Sequence, residues 1–359
     1  MSMLFGQLAH SFGLNDLCDC LQLHCAELSR MRGAQSPSRN GLSHANRHRP
    51  AQMAEELFWA VKAHLGQQSP GFITGRRRGP AFRFKVPIHI VDATVMELVA
   101  NCMDWAKHRR RKAAAKTHLR LNFQSLLPGF VRIDTAAQHE VRRARELCAG
   151  IQSGEIALFD KGYVDFEHLE DLDQRGVFWV TRAKDNLAYK VIEKLSCSKD
   201  SKILKDEIIV LRNAQLPAPE LMRRVEALVE LDGKERPMVF LTNNLDWSPR
   251  SVADLYRCRW EIEVFFKQLK QDLQLADFLG YSANAVRWQV WMALLVYLLL
   301  RYLAFVSQWS QRFRRLFTLL RGVLWSRLGL VDLLQCYGTA RARLRSLAQP
   351  EQAYFAGFL

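Results

Sequence analysis

Residues 256–270 read Tyr-Arg-Cys-Arg-Trp-Glu-Ile-Glu-Val-Phe-Phe-Lys-Gln-Leu-Lys, and the fold turns on how this stretch is interpreted. At about 100° per residue, a helix through it brings Tyr256, Arg259, Glu263 and Lys270 within an arc of roughly 60°. Leu255, Ile262, Phe265, Phe266, Leu269 and Leu273 fill the adjoining arc. One flank can bury itself while the other presents a carboxylate among two cations and a phenol. Such a carboxylate can hold a hard divalent cation, and the Arg, Lys and Tyr beside it can bind phosphate oxygens by charge and hydrogen bonding. The same residues would also make a solvated amphipathic helix, with Arg259/Glu263 and Glu263/Lys267 pairs at i,i+4. The rest of the chain decides between the two.

Two further acids have a matching setting. Residues 84–91 read as a strand ending at Asp92, and 155–159 as a strand ending at Asp160. The carboxyl end of a strand is where an α/β sheet opens toward its ligands, although an Asp there also serves as a turn former or helix cap. Stretches 117–123 and 129–133 complete a three-stranded meander with the first strand, 138–148 reads as a helix, another helix follows Tyr163, and 177–182 is a fifth strand. Strands in sequence, then alternating strand and helix, predict an α/β domain of the ribonuclease H type. Three carboxylates converging without a counter-ion would repel one another, so Asp92, Asp160 and Glu263 make sense together around divalent metal. Two Mg²⁺ ions, with Mn²⁺ as a substitute, would serve phosphodiester hydrolysis and transesterification without a covalent nucleophile.

The order Tyr256, Arg259, Glu263, Lys270, with gaps of two, three and six residues, resembles the YREK signature of bacterial DDE transposases of the insertion-sequence-four family. Val91-Asp92-Ala93-Thr94 is similar to the context of that family's first aspartate, though Asp-Ser-Thr is commoner there, and Phe159-Asp160-Lys161-Gly162-Tyr163 is similar to that of the second. The resemblance covers nearly all of residues 1–310 and implies catalytic, metal-holding roles for Asp92, Asp160 and Glu263. It also implies contacts of Tyr256, Arg259 and Lys270 with phosphates at the transposon end. Aligning Phe240-Leu241-Thr242 puts Met238 where the best understood relative carries a base-stacking tryptophan, so a hairpin intermediate is not expected.

Composition agrees with a nucleic-acid partner. The 359 residues carry 51 Lys and Arg against 36 acids, a formal charge of +15, which favours a polyanion. Lys107, His108, Arg109, Arg110, Arg111, Lys112, Lys116 and His118 form a basic run between the first two strands that could track DNA phosphates or be a solvated loop. Trp105 and Trp260 could stack on bases or sit in the core. Eight cysteines without a secretory signal fit a reducing cytoplasm, and Cys18, Cys20, His24 and Cys25 lack the paired spacing of a zinc site. Residues 290–300 are apolar but too short for a membrane span and read as a buried helix.

The expected organisation is a helical DNA-binding region (residues 1–70), a basic linker (71–83), a ribonuclease H-like catalytic domain (84–280) with a β-rich insertion at about 187–244, and a helical C-terminal region (281–359). Between the N-terminal helices, residues 42–49 are polar and basic, suited to phosphates or base edges. By resemblance more chain would precede Met1, so an N-terminally shortened copy is one expectation. The function expected is a DNA transposase that binds terminal inverted repeats, cuts DNA ends and joins them to target DNA, as a homodimer on paired ends. It would work in the cytoplasm on the nucleoid, with no membrane. The alternatives are a nuclease without strand transfer and an inhibitory DNA-binding derivative.

Overall fold

The computed structural model describes residues 1–31, 33–76, 79–98, 102–109, 112–135, 140–196, 202–211, 221–231, 233–275, 277–326 and 329–338. In chain order the helices are α1 (Ser2–Ala9), α2 (Leu14–Leu23), α3 (Cys25–Arg30), α4 (Arg39–His48), α5 (Gln52–Gln68), α6 (Pro70–Thr74), α7 (Met103–Ala106), α8 (Glu140–Cys148), α9 (Phe166–Gln174), α10 (Pro249–Arg257), α11 (Trp260–Lys267), α12 (Ala283–Val306), α13 (Phe313–Gly322) and α14 (Leu330–Gly338). The strands are β1 (Ile88–Leu98), β2 (Lys107–Arg109), β3 (Lys112–Asn122), β4 (Pro128–Thr135), β5 (Ile156–Phe159), β6 (Phe178–Arg182), β7 (Tyr189–Lys194), β8 (Ile203–Leu211), β9 (Met222–Leu231) and β10 (Lys234–Thr242). The chain forms two compact units, one from residues 73–266 and one from residues 1–72 with 267–359.

The first unit is built on a single mixed sheet in the order β2-β3-β1-β5-β6-β10-β9-β8-β7, with β4 also paired to β3. β1, β3 and β4 are antiparallel neighbours, whereas β1, β5 and β6 run parallel. Strand β5 is buried at all four positions, Ile156-Ala157-Leu158-Phe159, the continuous apolar run of a strand covered on both faces. Val91, Leu147, Phe159, Leu169, Leu172 and Trp179 form the core under one face, with Ile209, Met222 and Leu241 joining them from the later strands. The expected β insertion therefore does not stand apart. β10 pairs antiparallel with β6, Leu241 opposite Thr181, and the sheet runs on through β9, β8 and β7.

Two ion pairs staple this extension. Arg223 on β9 grips Asp206 on β8 with two parallel bonds, Nε to Oδ1 at 2.8 Å and Nη2 to Oδ2 at 2.7 Å, and also donates to the carbonyls of Leu245 and Trp247. Arg224 bonds Glu207 at 2.9 Å and Glu226 at 3.1 Å. At the opposite end, Gly75 has a φ of +68°, and a Cβ there would lie 2.2 Å from the backbone carbon of Gln124. Gly75→Ala is thus expected to destabilise the unit by at least about 1–3 kcal/mol. A urea unfolding curve with an unchanged midpoint would refute this.

In the second unit, α12 packs against α1, α4, α5 and α13. Most of α12 is buried, Val290 to Leu298 at every position, which accounts for its unbroken apolar run. Among the described residues it is the one helix long and apolar enough to cross a membrane. Leu17, Leu21, Leu28 and Leu42 make a separate small core. α2 and α3 part at His24, and the basic segment at 42–49 runs through the end of a helix, α4, whose first turn is capped by Ser38 Oγ accepting from Gly41 N at 3.1 Å.

Candidate active site

Asp92 is not at a strand end, as the sequence suggests, but in the middle of the long strand β1. What ends at Val91 is the parallel pairing: Val91 lies opposite Phe159, the last residue of β5, so Asp92 and Asp160 follow in register on neighbouring strands. Beyond that point β1 is held only by β3, Asp92 facing Leu119. The two acids thus emerge where β5 ends, at the carboxyl ends of parallel strands, the usual position of a site in an open α/β sheet.

The segment expected to be one helix from Tyr256 to Lys270 is broken. α10 starts at Pro249 behind the cap of Ser248, whose Oγ accepts from Ser251 N, and it ends at Arg257. After a turn at Cys258 and Arg259, α11 runs to Lys267, and a π-helical turn spans Gln268–Asp272. The i,i+4 relation of Arg259 and Glu263 survives the break. Lys270 lies past the boundary at 266/267, in the helical unit.

Tyr256, Arg259, Asp92, Asp160 and Glu263 form one hydrogen-bonded group. The Tyr256 hydroxyl donates to Asp160 Oδ1 at 3.1 Å. Arg259 Nη1 donates to Asp92 Oδ2 at 2.9 Å, and its Nη2 to Glu263. The guanidinium also lies 5.7 Å from the centre of the Tyr256 ring, which packs on Phe240 of β10. Burial pushes the Tyr256 phenol well above the ordinary tyrosine range, against the pull of Arg259, so it stays a neutral donor. Burial works against the charge of Arg259, but Tyr256, Asp92 and Glu263 outweigh it and hold the guanidinium above its usual value. Its Nε is buried with no hydrogen-bond partner.

The donor set is that of a hard divalent cation, carboxylate oxygens alone. In this structure Arg259 is the cation that two of them share. Among the described residues, no group of three His, Cys, Asp or Glu side chains stands ready to hold a metal, which also applies to Cys18, Cys20, His24 and Cys25.

The basic run fares unevenly. Arg110 and Arg111 lie outside the described residues, and Lys107 and Arg109 are described only as backbone of β2. Lys116 is half-buried on β3. His118 is fully buried, which removes it from any DNA surface. Residues 117–121 are buried at every position, so β3 is covered on both faces there rather than half-exposed. Burial, reinforced by Lys116, pulls His118 down to a pKa of about 4, and burial does the same to His168. Both rings lack hydrogen-bond partners. Unfolding lets each take a proton near pH 6.5, so their contribution to stability is complete above that value and is lost as pH falls toward about 4. Urea midpoints measured across this window should fall with pH, and less steeply in His118→Leu or His168→Leu. Equal slopes would contradict the assignment.

Sequence reasoning missed the residues that seat α10. Arg83 Nη2 bonds Asp254 Oδ2 at 2.6 Å, and Arg223 holds the Leu245 and Trp247 carbonyls just ahead of the helix. The available signal was charge, Asp206-Glu207 and Arg223-Arg224, inside strands otherwise rich in β-branched residues. Trp260, by contrast, is 61% exposed, and Trp105 is partly buried beside Cys102, Ala106 and Ala113.

The family described as the transposase DDE domain matches residues 84–299, a span that takes in all three acids. A protein of Sinorhizobium fredii named as a transposase is 28% identical over 328 residues, 89% of this chain and 87% of that one. One named as a transposase for an insertion sequence element of Geobacillus stearothermophilus is 29% identical over 231 residues, 64% of this chain and 59% of its own length. Among solved structures, a piggyBac transposase synaptic complex with hairpin DNA is similar at a TM-score of 0.40 and 9% identity, covering 69% of this chain and 56% of that one, too loose a likeness to carry weight.

Proposed function

The chain belongs to the transposase DDE domain family and is a DNA transposase, and from that premise we propose how its own residues carry out the reaction. Asp92, Asp160 and Glu263 are the acids of the DDE set and would hold the divalent metal on which the family depends, here two Mg²⁺ ions with Mn²⁺ as a substitute. When bound, the metal supplies activation of water or of a terminal hydroxyl, and charge for the leaving oxygen of the scissile phosphate. Tyr256 keeps its proton and fixes the direction of the Asp160 carboxylate. Arg259 draws Asp92 and Glu263 together, and its guanidinium would contribute charge toward a phosphate at the transposon end. Lys270, as the last member of the YREK signature, adds a phosphate contact.

One observation carries this reading: three acids, from β1, from the end of β5 and from α11, meet on Tyr256 and Arg259. The order β4-β3-β1-β5-β6, with the last three parallel, supports a ribonuclease H type of catalytic domain at 84–280, with the β-rich insertion at 187–244 continuing its sheet. Residues 1–70 would bind DNA, 71–83 link, and 281–359 form the helical C-terminal region. The substrates are the terminal inverted repeats of an insertion sequence and a target DNA, and two protomers hold paired ends in the cytoplasm.

The test is incubation of the full chain with labelled end DNA and a target plasmid in Mg²⁺. Cut ends and joined products are expected, both dependent on the acids. Cut ends without joined products would favour a plain nuclease, and a gel shift without nicking in Mg²⁺ or Mn²⁺ an inhibitory derivative.

A further inference from the structure

We propose that the helical unit carries a pocket for one unpaired nucleotide, built by α2, α4 and the segment leading into α12. A cavity of about 440 Å³ is lined there by Phe12, Asp16, Arg39, Asn46, Arg47 and Tyr281. Such a volume lies within the ~300–1,000 Å³ range of small-molecule sites. Asn46 is only 6% exposed, yet its Oδ1 has no hydrogen-bond partner. An acceptor left so can take a donor that comes within reach, and Asn46 is part of the cavity lining.

The floor around this amide is constructed. The backbone carbonyl of Asn46 accepts from Asn284 Nδ2 at 3.0 Å, fixing α4 to the first turn of α12. Gly280 comes so close that a Cβ would stand 2.8 Å from Asn46 Nδ2 and 2.7 Å from the Ala285 Cβ. Any side chain at 280 would press on the amide. On the same lining, Phe12 and Tyr281 are 74% and 51% exposed.

The mixture selects the ligand class. An apolar ligand would leave the amide and the arginines idle, and a bare phosphate would leave the rings bare. An unstacked nucleotide uses all three: its base against an aromatic ring, its amine-bearing edge on the Asn46 amide, its phosphates on Arg39 and Arg47. Asparagine pairs best in this way with adenine, and Asp16 offers a second acceptor for the amine. The inference rests on residues 1–70 being a DNA-binding region and deepens that reading, giving the region a preference for DNA with a base out of the stack.

The probe is a short duplex with a fluorescein on one end and a single adenosine either bulged or paired, titrated with the full chain and read by anisotropy. The bulged duplex should bind about tenfold more tightly, as expected for one base stacked on an aromatic ring. Phe12→Ala, which empties no core because the ring is exposed, and Asn46→Leu should each abolish most of that preference. Equal affinity for the two duplexes, or a preference that survives both substitutions, overturns the proposal. Tight binding of dAMP with no preference between duplexes would overturn it in favour of a free-nucleotide site. End cleavage measured on the same preparation reports on the transposase chemistry separately, so a missing preference beside intact cleavage defeats this inference alone.

Discussion

Asp160→Asn or Glu263→Gln should lower Mg²⁺-dependent end cleavage by about 10²–10³-fold or more, the loss typical when one preorganised charge-stabilising group is removed. Both substitutions are isosteric and remove only the negative charge. The amide placed at position 160 would still offer an oxygen to the Tyr256 hydroxyl, which now bonds Asp160 at 3.1 Å, so the local packing should persist. With an amide at position 263, Arg259 would keep its bond to Asp92. Because neither change alters the fold or the phosphate-binding cations, the shift of end DNA on a gel should stay within about twofold of the parent. Cleavage at the parental rate in either variant would remove the three-acid site from the account.

The largest stability effect is expected at Asp206. The Asp206–Arg223 pair is nearly inaccessible, with side chains 2% and 6% exposed, and it is bidentate. Removing one partner leaves an uncompensated buried charge, which costs about 3–5 kcal/mol. Asp206→Ala should therefore lower the urea midpoint strongly. A paired apolar replacement, Asp206→Leu with Arg223→Met, should regain much of the loss, since two charges no longer need desolvation. A separate effect is expected on function. Arg223 also holds the carbonyls of Leu245 and Trp247, so the paired replacement should recover stability while still cutting more slowly, because the lead into α10 and Tyr256 is less firmly held. Failure of Asp206→Ala to shift the midpoint would refute the first part, and parental cleavage by the paired variant the second.

The parts legible in sequence were those written in local pattern. The all-apolar run at 156–159 gave β5, and the β-rich, charged character of 187–244 marked the region of β8, β9 and β10 without their bounds. The position of Asp160 was legible for the same reason, since the short buried strand ends just before it. Asp92 was misplaced at a strand end because Ala93 to Leu98 contains small and acidic residues with weak β preference; pairing to β3, a tertiary effect, carries β1 onward. Tyr256 to Lys270 had an unbroken helical period, and nothing local announces the turn at Cys258 and Arg259. There the backbone follows the partners of Arg259, which lie 167 residues away in the case of Asp92. His118 looked like part of a basic surface because charge is visible in a sequence while cover on both faces of its strand is not.

The return of β10 to β6 sets how the chain can tolerate changes of length. Residues added beyond the outer strands β7 and β8 would only extend the far margin of the sheet, whereas a deletion inside β10 would turn each following side chain to the opposite face. Thr242, paired with Val180, leads within seven residues to Pro249 and the helix of Tyr256. A scan of single-codon deletions should thus find β10 intolerant along its whole length, and gains or losses of sequence should collect at the distal rim.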